Sequence, residues 1–179
     1  KNILELGGKP LIAWSIEEGL KNKYIDNLIV SSDSENILDI AGNYGANLIK
    51  RPNELASDTA STFDAIEHTI NNIQNPYHYI ILLQPTSPFR TNKHIDEAFE
   101  SLFGKKADAI ISVTEMEHNP EWGNILPKNG SMVNFINREL VNVRSQDLDQ
   151  YYRLNGAIYI CKTKSLLKEK TFFIKENIY

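Results

Sequence analysis

The feature that most constrains this chain is a repeated change of hydrophobic period. Short apolar runs of strand character are separated by segments whose apolar residues recur three and four positions apart. Pro10 sits where a first helical turn tolerates it, and Ile12, Ile16 and Leu20 follow at helical spacing. Asp26–Ser32 reads as a buried strand. Asp33 or Ser34 then caps a helix carrying Ile37, Ile40, Ala41 and Tyr44 on one face. Ala46–Lys50 is a further strand, and Phe63, Ile66, Ile70 and Ile73 mark the next helix. Tyr79–Gln84 is a continuous apolar run, expected as a central strand covered on both faces and ended by Pro85 and Pro88. Ile95, Ala98, Phe99, Leu102 and Phe103 restore the helical period before a strand at Asp108–Thr114. Residues 115–150 are irregular and rich in Asn, with Trp122, Gly123, Pro127 and Gly130. Asn155–Cys161 is a last strong strand, and Ser165–Lys168 a short helix. Such alternation predicts an α/β domain with a mostly parallel sheet and helices on both faces.

Composition narrows the function classes. At 179 residues the chain can bury roughly 70% of its unfolded surface and needs no staple. It reads as a single domain over 1–179. One cysteine, Cys161, excludes an internal disulfide framework and fits a reducing, cytoplasmic compartment. No apolar run approaches the length of a membrane span. The net charge of −4, without a basic stripe, gives no sign of nucleic-acid binding. Position 1 is Lys and nothing near it resembles a signal peptide. Both ends read as cut.

Ligands of parallel α/β sheets sit at the carboxyl ends of strands, which directs attention to three segments. Arg51-Pro52-Asn53-Glu54-Leu55-Ala56-Ser57-Asp58-Thr59-Ala60-Ser61-Thr62 sets a cation before a hydroxyl-rich helix start. That arrangement suits a phosphate or the polar edge of a base, and equally a helix capped by Asp58 or Thr59. Leu82-Leu83-Gln84-Pro85-Thr86-Ser87-Pro88-Phe89-Arg90-Thr91 delivers Gln84, a donor and acceptor at once, to the ligand edge. It also reads as a rigid turn with a cap at Thr91. Arg153-Leu154-Asn155-Gly156-Ala157-Ile158-Tyr159, with Phe172-Phe173, offers a fork for an anion and an apolar wall, or simply a core strand with packed aromatics. His68, His78, His94 and His118 have no mutual ligand spacing. Asp33 either faces a ligand or caps a helix, Arg90 is read as a structural pairing residue, and Cys161 as a small core residue.

Together, RPNELASDTAS, LLQPTSPFRT and RLNGAIYI in that order resemble the acylneuraminate cytidylyltransferases over nearly the whole chain. The resemblance implies a Rossmann-like nucleotidyltransferase fold with a mixed, mostly parallel sheet and a small dimerisation excursion at about 115–150. It also implies that a sugar hydroxyl attacks the α-phosphate of CTP, giving a CMP-sugar and pyrophosphate. On it, Lys1 is the catalytic cation near the transferred phosphate. Asn2, Arg51, Ser61 and Thr62 bind the nucleotide. Gln84, Arg144, Arg153, Asn155, Tyr159, Phe172 and Phe173 bind the sugar. The implied partners are CTP, a nine-carbon acidic sugar and a second copy of the chain. The implied cofactor is Mg²⁺, whose Asp-x-Asp ligands in the family lie past the position of Tyr179, so that no residue here is assigned to metal.

One departure bears on specificity. The family's Arg-Arg-Gln-Asp-Leu-Pro stretch stands here as Arg144-Ser145-Gln146-Asp147-Leu148-Asp149. Ser145 replaces an arginine that helps to hold the acidic sugar, which leaves legionaminic, pseudaminic and 3-deoxy-octulosonic acids open beside sialic acid. A domain that binds a nucleotide without chemistry is the non-enzymatic alternative.

Overall fold

The computed structural model describes residues 1–57 and 60–179. The capping expected of Asp58 or Thr59 lies outside these described residues. Residues 1–112 with 156–179 make one compact unit and residues 113–155 a second.

In the larger unit, β1 (Glu5–Leu6) and β2 (Lys9–Pro10) form a hairpin. Gly7 and Gly8 both carry positive φ, +61° and +83°, the backbone a two-residue turn of this hand requires. Helix α1 (Leu11–Leu20) starts after Pro10, whose ring fixes φ at −56°, and buries Ile12, Ala13, Ser15 and Ile16. Strand β3 (Ile29–Ser32), helix α2 (Glu35–Asn43) and strand β4 (Asn47–Lys50) follow, and β3 and β4 pair in parallel with Ile29 opposite Asn47. Ser34 occupies the α2 cap position, but its hydroxyl makes no cap bond; its N–H donates to Ser32 Oγ at 3.2 Å.

Helix α3 (Thr62–Asn71) is capped by Ser61. Asp64 N–H donates to Ser61 Oγ at 3.1 Å and Ser61 N–H to the Asp64 carboxylate at 3.3 Å, a reciprocal capping box. Helix α4 (Asn92–Gly104) begins at Thr91, whose N–H donates to His94 Nδ1 at 3.1 Å. His94 is therefore a cap partner on an exposed helix start.

Strands β5 (Tyr79–Leu82), β6 (Ala109–Glu115) and β7 (Tyr152–Lys162) form a sheet in the order β5-β7-β6, and helix α5 (Thr163–Glu169) ends it. β7, not β5, is its middle strand, and it runs antiparallel to β5, with Tyr159 opposite Leu82. Period patterns do not encode strand direction. The expected mostly parallel sheet is not found among the described residues: the parallel pair β3–β4 forms a separate sheet, and β7 returns from the long 113–155 excursion and not from a crossover helix.

Alternation along these strands feeds two cores. Tyr79, Ile81 and Leu83 pack with Ile110, Ile158 and Ile160 against Ile95, Phe99 and Leu102 of α4. Ile80 and Leu82 pack with Ala109, Tyr159 and Cys161 against Leu166 of α5, Phe172, and Phe63 and Ile66 of α3. Helices thus cover both faces, and the continuous apolar run of β5 is explained although the strand is outermost in its sheet. A third core joins α1 to α2 through Ile12, Ile16 and Ala41.

The second unit contains 3-10 turns at Pro120–Trp122, Arg138–Leu140 and Ser145–Asp147. None of its described side chains is buried. Ile125 is 90% exposed and Val133 75%.

Candidate active site

A cavity of about 960 Å³ opens in the larger unit, lined among others by Asn2, Ser31, Asp33, Arg51, Ser61 and Thr62. Four residues assigned to the nucleotide on sequence grounds, Asn2, Arg51, Ser61 and Thr62, therefore share one hollow. Each arrives by a separate route. The Asn2 carbonyl accepts from Ile12 N–H at 2.9 Å, which ties the chain start to α1. Arg51 follows β4, and its main-chain N–H continues the β3–β4 ladder by donating to Ser32 O at 2.9 Å. Ser61 and Thr62 open α3.

Arg51 is the electrostatic centre. Its guanidinium lies 3.8 Å from the Asp33 carboxylate, and its Nε is buried with no hydrogen-bond partner among the described residues. Ser31 Oγ, on the wall of the same cavity, is buried and unpartnered too. Two buried polar atoms left without partners, on residues that line one hollow, are costly. Asp33 thus faces the cavity and does not hold the cap position of α2.

Gln84 stands at the end of β5. Leu83 and Pro85 on either side of it line the cavity, whereas Gln84 turns toward Gly156. Its main-chain oxygen accepts from Arg90 Nη1 at 3.2 Å and from Ser87 N–H at 3.2 Å. Tyr159 packs tilted against Phe172 and edge-on against Phe173, with ring centroids 5.6 and 6.3 Å away. Phe172, only 7% exposed, is part of the core; Phe173 is 52% exposed. Lys1 is exposed beside Asn2, and its carbonyl accepts from Leu4 N–H at 3.1 Å.

Arg144, Arg153 and Asn155 belong to the 113–155 unit. Arg144 is exposed and engaged with Asp147 at 2.8 Å. Asn155 Nδ2 donates to Val113 O at 3.1 Å, and Arg153 is exposed.

Comparison with known proteins decides the family. The cytidylyltransferase family profile matches residues 1–179. This chain belongs to the cytidylyltransferase family. It is 38% identical to an N-acylneuraminate cytidylyltransferase of Escherichia coli O18:K1:H7, over 97% of this chain and 41% of that protein. It is 34% identical to a CMP-N,N'-diacetyllegionaminic acid synthase of Legionella pneumophila, over 97% of this chain and 75% of that protein. The chain thus spans about two fifths of the N-acylneuraminate cytidylyltransferases it matches. A CMP:2-keto-3-deoxy-manno-octonic acid synthetase solved with CTP shares the fold at TM-score 0.70 and 15% identity, covering 95% of this chain and 70% of that one. A 4-diphosphocytidyl-2C-methyl-D-erythritol synthase from Anaerococcus prevotii does so at 0.63 and 14%, covering 98% and 75%. The mixed α/β nucleotidyltransferase fold is therefore established.

Within this cytidylyltransferase chain, the residue that sequence reasoning undervalued is Arg90. Among the described residues it hydrogen-bonds no carboxylate. Instead its guanidinium, 5% exposed, donates to Gln84 O, to Ala157 O at 2.7 Å and to Ser15 Oγ at 2.6 Å. Burial pushes its pKa down to about 10, partly offset by Glu18, so it stays charged at neutral pH. The available signal was its place directly after a two-proline turn. For Mg²⁺ the residues present do not fit. Among the described residues the acids lining the cavity are Asp26 and Asp33, Asp33 already lies beside Arg51, and there is no cluster of three His, Cys, Asp or Glu. No described helix is long and apolar enough to cross a membrane.

Proposed function

We propose that this chain forms the nucleotide-binding part of an enzyme that activates a nonulosonic acid with CTP. The anomeric hydroxyl oxygen bonds to the α-phosphorus, the bond from that phosphorus to the bridging oxygen breaks, and the hydroxyl proton leaves as pyrophosphate departs. Catalysis of this kind is largely positioning and charge neutralisation. Lys1 serves the transferred phosphate. Arg51, Asn2 and the Ser61-Thr62 helix start hold the nucleotide, with N–H donors of α3 toward negative charge. Gln84 orients the sugar against Tyr159 and the exposed Phe173, while Arg144, Arg153 and Asn155 serve its polar groups. Phe172 supports this wall from the core. Relatives named for N-acylneuraminate, N,N'-diacetyllegionaminate and pseudaminate support a nine-carbon acidic sugar. Mg²⁺ belongs to the proposal without a ligand from this chain, and we place the reaction in the cytoplasm, where CTP is made.

The observation that carries this reading is the cavity. Residues from positions 2, 31, 51 and 61–62 line it, and two of them, Ser31 and Arg51, hold buried polar atoms without a partner among the described residues. The test is pyrophosphate release by the protein carrying this chain, with CTP, Mg²⁺ and a panel of neuraminic, legionaminic, pseudaminic and 3-deoxy-octulosonic acids. Release with at least one nine-carbon acid is expected; no release with any sugar would refute it. The exposed Ile125 and Val133 of the 113–155 unit support a homodimer through that arm.

A further inference from the structure

We infer that Gly156 and Arg90 are positioning residues that set the direction of the Gln84 carboxamide, and through it the fit of the sugar. The inference rests on the sugar-binding reading of Gln84 and deepens it. Gly156 sits in β7 with φ +71°, a left-handed backbone. A Cβ built on it lies 2.7 Å from Gln84 Oε1 and 3.5 Å from Cδ. Carbon and a carboxamide oxygen do not share that space, so the absent side chain is what lets the Gln84 amide lie against β7.

Arg90 fixes the other end of the same residue. It grips Gln84 O, and its second contact, Ala157 O, belongs to the residue after Gly156. Its third, Ser15 Oγ, ties both to α1, and that hydroxyl also lies 3.5 Å from Gln84 O. The planar fork of one guanidinium thereby sets the spacing between the end of β5 and β7, which is the spacing across which Gln84 reaches Gly156. Lysine supplies one point of charge and cannot reproduce the fork.

A double-mutant cycle with sugar kinetics and CTP affinity tests this. Gly156→Ala is expected to raise the sugar KM about ten-fold, the scale of a misplacement of about 1 Å or less, with CTP Kd unchanged. Alanine at φ +71° also strains the backbone. Gln84→Ala removes the blocking oxygen and leaves that strain in place. In the Gln84→Ala background, Gly156→Ala is therefore expected to change the sugar KM by less than about two-fold. An equal factor in both backgrounds would overturn the inference. Arg90→Met should raise the sugar KM while sparing CTP Kd, with Arg90→Lys between it and wild type. A lowered melting temperature with unaltered sugar KM and kcat would make Arg90 a structural clamp only. If Gln84→Ala alone leaves sugar kinetics intact, the sugar-binding reading of Gln84 fails, and the Gln84 side-chain amide NMR signal still judges positioning. That signal is expected to shift in both Gly156→Ala and Arg90→Met, and an unmoved signal would contradict it.

Discussion

Arg51 shows how much a single side chain carries here. Its main chain completes a ladder, its Nη2 lies 3.8 Å from the Asp33 carboxylate, and Nε is left buried without a partner among the described residues. Arg51→Met is expected to weaken CTP binding about 10- to 100-fold, the range of a lost charged hydrogen bond, measured by calorimetry. Unchanged affinity would remove Arg51 from the nucleotide site. Cys161 is the opposite kind of residue. Desolvation, and after it the Asp108 charge, push its thiol up to about 11. The native protein is expected to resist iodoacetamide at pH 8 and to react once unfolded in urea, read by mass spectrometry. From sequence, Cys161 reads as a small core residue, and it is buried. The sequence did not show what Arg90 does: its place after a two-proline turn hints at a structural role, but its partners Gln84 O, Ala157 O and Ser15 Oγ are brought to it only by the fold.

At the scale of elements, the end of β7 and the segment after α5 are tied to the start of β6 by Asp108. Lys162 Nζ donates to its carboxylate at 2.6 Å, Ser165 Oγ at 3.3 Å and Asn177 Nδ2 at 3.1 Å, while Asp108 N–H donates to Asn177 O. The Lys162 hydrogen bond holds the Asp108 carboxyl below its ordinary range, and Asp108 holds the Lys162 ammonium above its own. The depressed carboxyl stabilises fully above its unfolded value of about 4 and loses that contribution as pH falls through its folded value. The raised ammonium stabilises fully below about 10.4 and loses it as pH rises through its folded value. Both groups are partly exposed, so the pair contributes about 1 kcal/mol or less. The melting-temperature gap between wild type and Asp108→Asn should be widest between those limits and close at both ends; a gap independent of pH would contradict the linkage. Strand and helix positions were legible because period marks them. The antiparallel run of β7 was not, since the chain between β6 and β7 carries no period, and hydrophobicity does not report direction.

For the whole molecule, the 113–155 unit, none of whose described residues is buried, bears on the proposed assembly. Light scattering at micromolar concentration is expected to give twice the 20.4 kDa chain mass for this polypeptide, and Ile125→Asp with Val133→Asp to give the single mass. A monomer in the unmutated protein would contradict the arm's assignment. The motif order made the family legible before any coordinates, but not which hydroxyls and guanidinium nitrogens stand unpartnered, a property of three-dimensional packing. The central claim is that separate segments converge on one nucleotide cavity, and hydrogen–deuterium exchange with and without CTP tests it most directly. Protection should rise together at residues 29–33, 51–57 and 60–66 and remain unchanged across α4. Protection confined to one of those segments, or absent from all of them at saturating CTP, would contradict it.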